Sequence, residues 1–332
     1  MQTRLTDRYE LETPIVGASL GALSGPELAA AVSNAGGMGT LGAIGTPTMN
    51  AGHLRAAIRV TRSLTSRPFG VNFLAPLATD ELIAVCAEMQ VKVVSFHLTM
   101  PTPSWLRTLR EAGADWWQQV GSIDMARDAL SSGADALIVQ GSEAGGSNVG
   151  VSSLLTLLPA IADLSEEPLL LAAGGIADGR GMVAALALGA DGVWIGTRLV
   201  ATDEAYARSD YKRRILGAVP GETFFRRVRL PHADVQVRML PAPQVTGEYA
   251  VRPPDEVLLR EQVRLPTPDA EGSLGELTLL AGESAALVHD IRPAREVVRR
   301  LHSEALMILQ QRLQPLIVPR TPRRTTRTSS SK

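Results

Sequence analysis

The first two-thirds of the chain alternates short apolar runs with longer amphipathic segments, and this pattern most constrains the fold. Several of the runs are continuous, such as Val93-Val94-Ser95-Phe96 and Leu169-Leu170-Leu171-Ala172. Continuous apolar runs are typical of parallel strands that are buried on both faces. Strands are therefore predicted at 14–18, 37–41, 69–74, 92–97, 115–119, 135–139, 168–173 and 191–195.

A tripeptide repeat supports the same alternation. Gly-Ala-Asp occurs at Gly113, Gly133 and Gly189, each time after a helical pattern and before an apolar run. Glycine at such a place fits the left-handed position that ends a helix. Eight strands that alternate with helices favour a TIM (β/α)8 barrel with a C-terminal extension, and an open doubly wound sheet is the alternative.

The composition changes along the chain and predicts four regions. The barrel is predicted to occupy residues 1–225. Proline and charged residues are frequent from 226 to 280, which predicts an irregular excursion near the mouth of the barrel. Residues 281–318 are predicted to form a helical segment that packs on the barrel, with a helix near 293–313. Residues 319–332 are rich in Thr, Ser and Arg and are predicted to form a disordered tail.

Charge and cysteine content exclude several classes of protein. The 332 residues carry a net charge of −1, which gives no indication of nucleic-acid or anionic-membrane binding. The first 13 residues are polar, and no apolar run approaches the length of a membrane span. The single cysteine, Cys86, excludes an internal disulfide and a cysteine-based metal cluster. We expect a cytoplasmic enzyme that acts on a small molecule without a metal, and no oligomeric state is predicted.

Two glycine turns follow the last two predicted strands. Ala173-Gly174-Gly175 follows the seventh strand, and Gly196-Thr197 follows the eighth. The loops after strands seven and eight of such barrels often bind a phosphate, together with a helix N-terminus. Glycine lets backbone N–H groups approach the anion, and the Thr197 hydroxyl can donate a hydrogen bond. A phosphate site is therefore predicted; the alternative is that these glycines only tighten the turns.

Polar groups near three other strands are predicted to lie at the same end of the barrel. Gly145 and Gly146 lie in the turn 140–148 after the sixth strand. Asn72 lies in the third strand, and Gln119 ends the fifth. Buried amides need partners, and the edge of a flavin ring offers both donors and acceptors. Alternatively, each amide binds the neighbouring backbone.

Together these stretches resemble the nitronate monooxygenases, formerly called 2-nitropropane dioxygenases. The resemblance covers about residues 14–205, with a weaker similarity at 281–300. The matching segments are 24–37, 70–73, 94–97, 140–146, 173–179 and 194–197.

The resemblance implies FMN at the C-terminal mouth of the barrel. It also implies that the flavin and O2 oxidise a nitronate, with release of nitrite and a carbonyl compound. The cofactor contacts predicted from the motifs and the resemblance are Ala18, Ser19, Leu20, Asn72, Gln119, Gly141, Gly145, Gly146, Ala173, Gly174, Gly175, Gly196 and Thr197.

The chain departs from the family pattern at one position. Family members usually read Glu-Ala-Gly-Gly-His in the sixth loop, where the histidine deprotonates a neutral nitroalkane, but here the position is Ser147. Loss of a positioned general base typically costs about 10²–10⁴ in rate. His97, at the end of the fourth strand, is the best substitute acid, base or hydrogen-bond donor, unless it only packs in the site. Ser147 and His97 are therefore the predicted catalytic positions.

Other polar residues are weaker candidates. His232 lies in the irregular excursion and is more typical of a surface histidine. Glu143 is expected to orient backbone rather than act as a base. Two alternatives to nitronate oxidation stay open. One is an FMN-dependent, NAD(P)H-linked enoyl reductase, because a sister group with that activity shares the same barrel and loops. The other is a flavin-binding barrel with altered catalysis, because the usual histidine is Ser147 here.

Overall fold

The computed structural model describes residues 1–43, 49–230, 233–242 and 263–317. Within these ranges, eight parallel strands and the helices between them form a TIM (β/α)8 barrel, as predicted. The strands are β1 (Ile15–Gly17), β2 (Gly39–Gly42), β3 (Phe69–Leu74), β4 (Val93–His97), β5 (Asp115–Val120), β6 (Ala136–Gln140), β7 (Gly146–Ser147), β8 (Leu169–Ala173), β9 (Gly192–Ile195), β10 (Phe224–Leu230) and β11 (Ala233–Met239). All but β7, β10 and β11 belong to the barrel, and each barrel strand agrees with its predicted range to within two residues at either end.

The helices lie between and after the barrel strands. They are α1 (Arg4–Tyr9), α2 (Pro26–Asn34), α3 (Ala51–Leu64), α4 (Asp80–Glu88), α5 (Pro103–Glu111), α6 (Ile123–Ser131), α7 (Leu154–Ala162), α8 (Gly179–Ala187), α9 (Thr197–Val200), α10 (Ser209–Leu216), α11 (Ala294–Met307) and α12 (Gln314–Ile317). None of these helices is long and apolar enough to cross a membrane.

The ring of strands closes between β1 and β2. The order is β1-β9-β8-β6-β5-β4-β3-β2, with parallel pairing throughout. Val16 and Met38 form a parallel bridge across the remaining gap. The Met38 N–H donates to the Ile15 carbonyl at 3.0 Å, and the Gly17 N–H donates to the Met38 carbonyl at 2.9 Å.

Helix α1 closes the amino-terminal end of the barrel through the Gly-Ala-Asp repeat. Arg8 Nη2 lies 3.0 Å from Asp115 and 2.7 Å from Asp135, and Arg4 Nη2 lies 2.6 Å from Asp191. The glycine of each copy has a φ between 73° and 101°, so the predicted left-handed helix ends are confirmed. Each copy therefore ends a helix and presents a carboxylate to α1.

The barrel interior is packed with large side chains. Met38, Trp117 and Ile138 are fully buried there, and Trp194 is 6% exposed. Side chains of α1, such as Leu5, belong to the same cluster. Because the amino-terminal end is filled in this way, the open space lies at the carboxyl ends of the strands.

A β-hairpin occupies part of the segment that was predicted to be irregular. β10 and β11 pair antiparallel, and β11 also pairs with β7 in the loop after β6. The prediction of irregular structure from 226 to 280 is therefore wrong over 226–230 and 233–239. Val235, Val237 and Met239 are buried and alternate with polar residues, so strand periodicity prevails over the prolines nearby. The described part from 263 to 280 consists of loops and a short 3₁₀ turn.

The predicted C-terminal helix is confirmed. α11 continues as a π-helical turn over Ile308–Leu313, and Val298, Leu301 and Ala305 are buried. A methyl group at Gly179 would lie 2.5 Å from the Ala305 nitrogen, so α11 packs directly on the start of α8. The predictions for His232 and for the tail 319–332 lie outside the described residues.

Candidate active site

A cavity of about 710 Å³ opens at the carboxyl ends of the barrel strands. It brings together nearly all of the site residues that the sequence predicts. The predicted residues that line it are Ala18, Ser19, Leu20, Asn72, His97, Gln119, Gly145, Gly146, Ser147, Ala173, Gly174, Gly175, Gly196 and Thr197.

Gly141 does not line this cavity, and the structure contradicts its predicted place in the site. Its N–H donates to the Ala173 carbonyl at 2.9 Å. A methyl group at Gly141 would lie 2.7 Å from the Leu154 nitrogen at the start of α7. Glycine is therefore required here by the packing of the loop against α7.

The loop after β6 is held from two sides. Ser147 pairs with Val237 of β11, and the Asn148 N–H donates to the Gln236 carbonyl at 2.8 Å. On the barrel side, the Ser147 carbonyl accepts hydrogen bonds from Gln140 Nε2 at 2.9 Å and from His97 Nε2 at 3.0 Å. These contacts use backbone atoms of Ser147 and Asn148, so they fix the loop and leave the Ser147 side chain on the cavity wall.

The polar residues Glu143 and Asn148 stabilise the loop. The Glu143 carboxylate accepts hydrogen bonds from the Leu154 N–H at 3.0 Å and from the Ser153 hydroxyl at 2.8 Å, so it caps α7. Asn148 Nδ2 donates to the Ala144 carbonyl at 2.8 Å. Neither side chain lines the cavity, which agrees with the structural role expected for Glu143.

His97 is buried and neutral. Its Nε2 faces a carbonyl, which can only accept, so Nε2 carries the proton and Nδ1 does not. Nδ1 is buried and has no partner among the described residues. Burial lowers the pKa of His97 to about 4. At neutral pH the ring is therefore uncharged, and it is a weaker base than an ordinary histidine.

The cavity wall also carries polar side chains that the protein satisfies only in part. Asn72 Nδ2 donates to Ser95 Oγ at 2.9 Å, so one half of the amide is bound to the neighbouring strand. Gln119 is only 7% exposed and lines the cavity. The Ser19 hydroxyl is buried without a hydrogen-bond partner in the described part of the chain. A bound ligand with donors and acceptors along one edge would fit this set of groups.

The two glycine turns form a cradle of backbone. Gly174 and Gly175 have φ values of 112° and 72°, which favour glycine. Among the described residues, their N–H groups donate to no backbone carbonyl. The Thr197 hydroxyl accepts from the Gly282 N–H at 3.0 Å, which leaves its own proton for a ligand.

The helix that begins beside this cradle is α9, which starts at Thr197. The start of α8 is closed by its own cap, since Asp178 accepts from the Arg180 N–H at 2.9 Å. The arginine that follows Thr197 does not reach the cavity either: Arg198 pairs with Asp290 at 2.6 Å.

Sequence reasoning predicted residues 226–280 near the mouth of the barrel but named none of the residues there that line the cavity. Val237 of β11 and Leu265 line the cavity, as do Tyr206 and Asp269. The Tyr206 hydroxyl donates to the Asp269 carboxylate, and this hydrogen bond raises the pKa of Tyr206. Asp269 is the one formally charged side chain among the described residues of the wall. The alternation around Val237 is a signal that could have been found, whereas nothing in the sequence marks Asp269.

Comparison with known proteins identifies relatives along nearly the whole chain. The family model described as nitronate monooxygenase matches residues 2–82 and 77–304. A Paraburkholderia phytofirmans protein named nitronate monooxygenase is 30% identical, over 91% of this chain and 94% of that protein. A Rhodococcus jostii protein named (3aS,4S,5R,7aS)-5-hydroxy-7a-methyl-1-oxo-octahydro-1H-indene-4-carboxyl-CoA dehydrogenase is 38% identical over 70% of this chain, and the match spans 65% of that protein's length.

A solved structure resembles the whole fold. A FabK variant from Thermotoga maritima superposes with a TM-score of 0.82 at 36% identity, over 96% of this chain and 100% of that chain. The match of the family model extends over both the barrel and the C-terminal helix that packs on it. The chain therefore belongs to the nitronate monooxygenase family of flavin-dependent oxidoreductases.

Proposed function

We propose that this protein binds FMN and uses O2 to oxidise alkyl nitronates, with formation of a carbonyl compound and nitrite. The observation that carries the proposal is a cavity wall with a cradle of glycine backbone but without an imidazole base at position 147. Ser147 stands where the family resemblance expects a histidine, and His97 has a pKa lowered to about 4. A nitronate reaches the enzyme already ionised, so it needs no base to remove a proton.

FMN fits the groups on the wall. Gly174, Gly175 and Thr197 would hold the phosphate through backbone N–H groups and a hydroxyl. Ser19 and Asn72 would contact the ring, where Ser19 has a buried hydroxyl without a partner. When bound, the flavin supplies the redox chemistry and the reaction with O2.

The chain's own residues then bind and orient the substrate. The Ser147 backbone is fixed by β11, Gln140 and His97, so the Ser147 hydroxyl is presented from a rigid position. His97 holds its proton on Nε2 against the Ser147 carbonyl, and its lowered pKa makes it a weak base. The apolar residues of the wall, including Val237 and Leu265, exclude water from the bound nitronate.

The test starts with the visible spectrum of the purified protein, with and without added FMN. The FMN-loaded protein is then mixed anaerobically with ethylnitronate and, separately, with NADH and NADPH. We expect ethylnitronate to bleach the flavin, and air to restore the colour with release of nitrite. Failure to bind FMN at all, or bleaching by a nicotinamide alone, would overturn the proposal.

A second candidate is oxidation or reduction of an acyl-CoA or related thioester. It is favoured by the 38% identity to a protein named as a dehydrogenase of a CoA thioester, which exceeds the 30% identity to the named nitronate monooxygenase. The enoyl-reductase form of this candidate predicts rapid anaerobic bleaching by NADH or NADPH. The nicotinamide arm of the same experiment therefore decides between nitronate oxidation and the reductase form of this candidate.

A further inference from the structure

Several apolar residues that line the cavity are not among the predicted cofactor contacts. Met49, Leu54, Ala57, Leu74 and Leu77 all line it, and we call these five residues the apolar arm. They come from the segment before α3, from α3 itself, and from the end of β3 with the turn that follows it. None of the residues predicted to bind FMN belongs to this group.

The arm has the properties of a binding surface. Leu54 is 1% exposed and anchors α3 in the core, whereas Ala57, one turn later, is only partly buried. Met49 and Leu77 are also partly buried and face the same cavity. The short side chain of Ala57 leaves room that a longer residue would occupy.

The chemistry of the arm defines what it can hold. All five side chains are aliphatic or thioether groups without charge. A charged group placed against them would lose its hydration without gaining a partner. An aliphatic chain or ring would instead gain about fourfold in affinity for each methylene group that it buries.

We propose that the apolar arm binds an uncharged hydrocarbon substituent of the substrate, and that Ala57 sets the length it accepts. The proposal rests on the proposed function in that it names the class of nitronate: one with an aliphatic or alicyclic tail of several carbons. Nitronates with a carboxylate at the end of the tail are poor substrates for the same reason.

The structure offers a closely matched pair of variants. Ala57→Leu fills the arm, whereas Ala56→Leu makes the same change at the adjacent, exposed position of α3. Melting temperature and bound FMN are measured for both. Met49→Ala, which enlarges the arm, is the second variant if Ala57→Leu does not fold.

Two readouts separate this proposal from the proposed function. The first is calorimetric titration of the FMN-loaded protein with octan-1-ol, and with octanoate as its anionic counterpart, which requires no turnover. We expect octan-1-ol to bind at least tenfold more weakly to Ala57→Leu than to the wild type or Ala56→Leu, and octanoate to bind weakly to all three.

The second readout is kcat/KM for linear nitronates from two to eight carbons. We expect a rise of about fourfold per carbon in the wild type and Ala56→Leu, and a plateau at a shorter chain in Ala57→Leu. Met49→Ala should move the plateau to longer chains. Octan-1-ol binding without any nitronate turnover would support the arm and overturn the proposed function. Turnover without chain-length dependence, or equal octan-1-ol affinity in both leucine variants, would overturn the arm.

Discussion

Replacement of Ser147 by histidine should place an imidazole base at the position where the family pattern has one. The Ser147 backbone is fixed by pairing with Val237 and by hydrogen bonds from Gln140 and His97, and all of these contacts survive a change of side chain. The side chain lines the cavity and is partly exposed. An imidazole there should keep a pKa near its ordinary value of about 6.5, well above that of His97.

The expected gain follows from what a positioned base contributes. General-base catalysis supplies about 10²–10⁴ in rate, or roughly 3–5 kcal/mol of barrier. Ser147→His should therefore raise kcat/KM for freshly dissolved, neutral nitroethane by about 100-fold or more. The value for pre-ionised ethylnitronate should change much less, because no proton is removed from it.

The assay compares both substrates over pH 5.5–8.5 with oxygen uptake and nitrite release. Activity of Ser147→His on nitroethane should increase as pH rises through about 6.5, since the base must be unprotonated. Ser147→Asn is the control, because it adds a polar side chain without a base. If Ser147→His retains FMN and its melting temperature but its preference for nitroethane equals that of Ser147→Asn, the reasoning about the missing base is refuted.

Three further predictions concern stability and cofactor binding. The pKa of His97 is about 4 in the folded protein and 6.5 in the unfolded chain, so the unfolded state binds more protons between these pH values. Acidification from pH 7 to 4 should therefore lower the free energy of unfolding by about 3 kcal/mol through His97. Urea melts should show that His97→Asn lacks this loss. Gly174→Ala should lose FMN and stability, because the φ of Gly174 is 112° and the new methyl group would lie 2.9 Å from a backbone nitrogen. Gly175→Ala, whose new methyl group would have its nearest neighbour at 3.7 Å, should lose only about 1–2 kcal/mol of folding stability. Flavin absorbance and thermal melts measure both effects, and equal losses in the two variants would contradict the assignment of the cradle. Because Glu143 caps α7, Glu143→Ala should lose about 1–2 kcal/mol of folding stability. Glu143→Gln should keep the kcat of the wild type with ethylnitronate. A large loss of kcat in Glu143→Gln would instead indicate that Glu143 acts as a base.

The barrel could be predicted from sequence because its signals are local. Runs such as 169–172 are apolar without interruption, and the Gly-Ala-Asp copies mark the ends of three helices. The second role of that repeat could not be predicted in the same way. Its aspartates pair with Arg4 and Arg8 of α1, at sequence separations above 100 residues.

The site was less predictable where one glycine among several had to be chosen. The turn after β6 contains Gly141, Gly145 and Gly146, and only the last two line the cavity. The difference arises from α7, whose Leu154 occupies the space beside Gly141. Sequence spacing alone does not reveal which face of a loop a later helix covers.

The hairpin explains how this loop can lose its histidine without losing its shape. Because β11 pairs with Gly146 and Ser147, and because His97 and Gln140 hold the Ser147 carbonyl, the loop is specified by backbone contacts. The residue at 147 is therefore free to vary while the glycine turn at Gly174 and Gly175 stays in place. A substitution at this one position can therefore change which polar group faces the cavity without changing the shape of the loop.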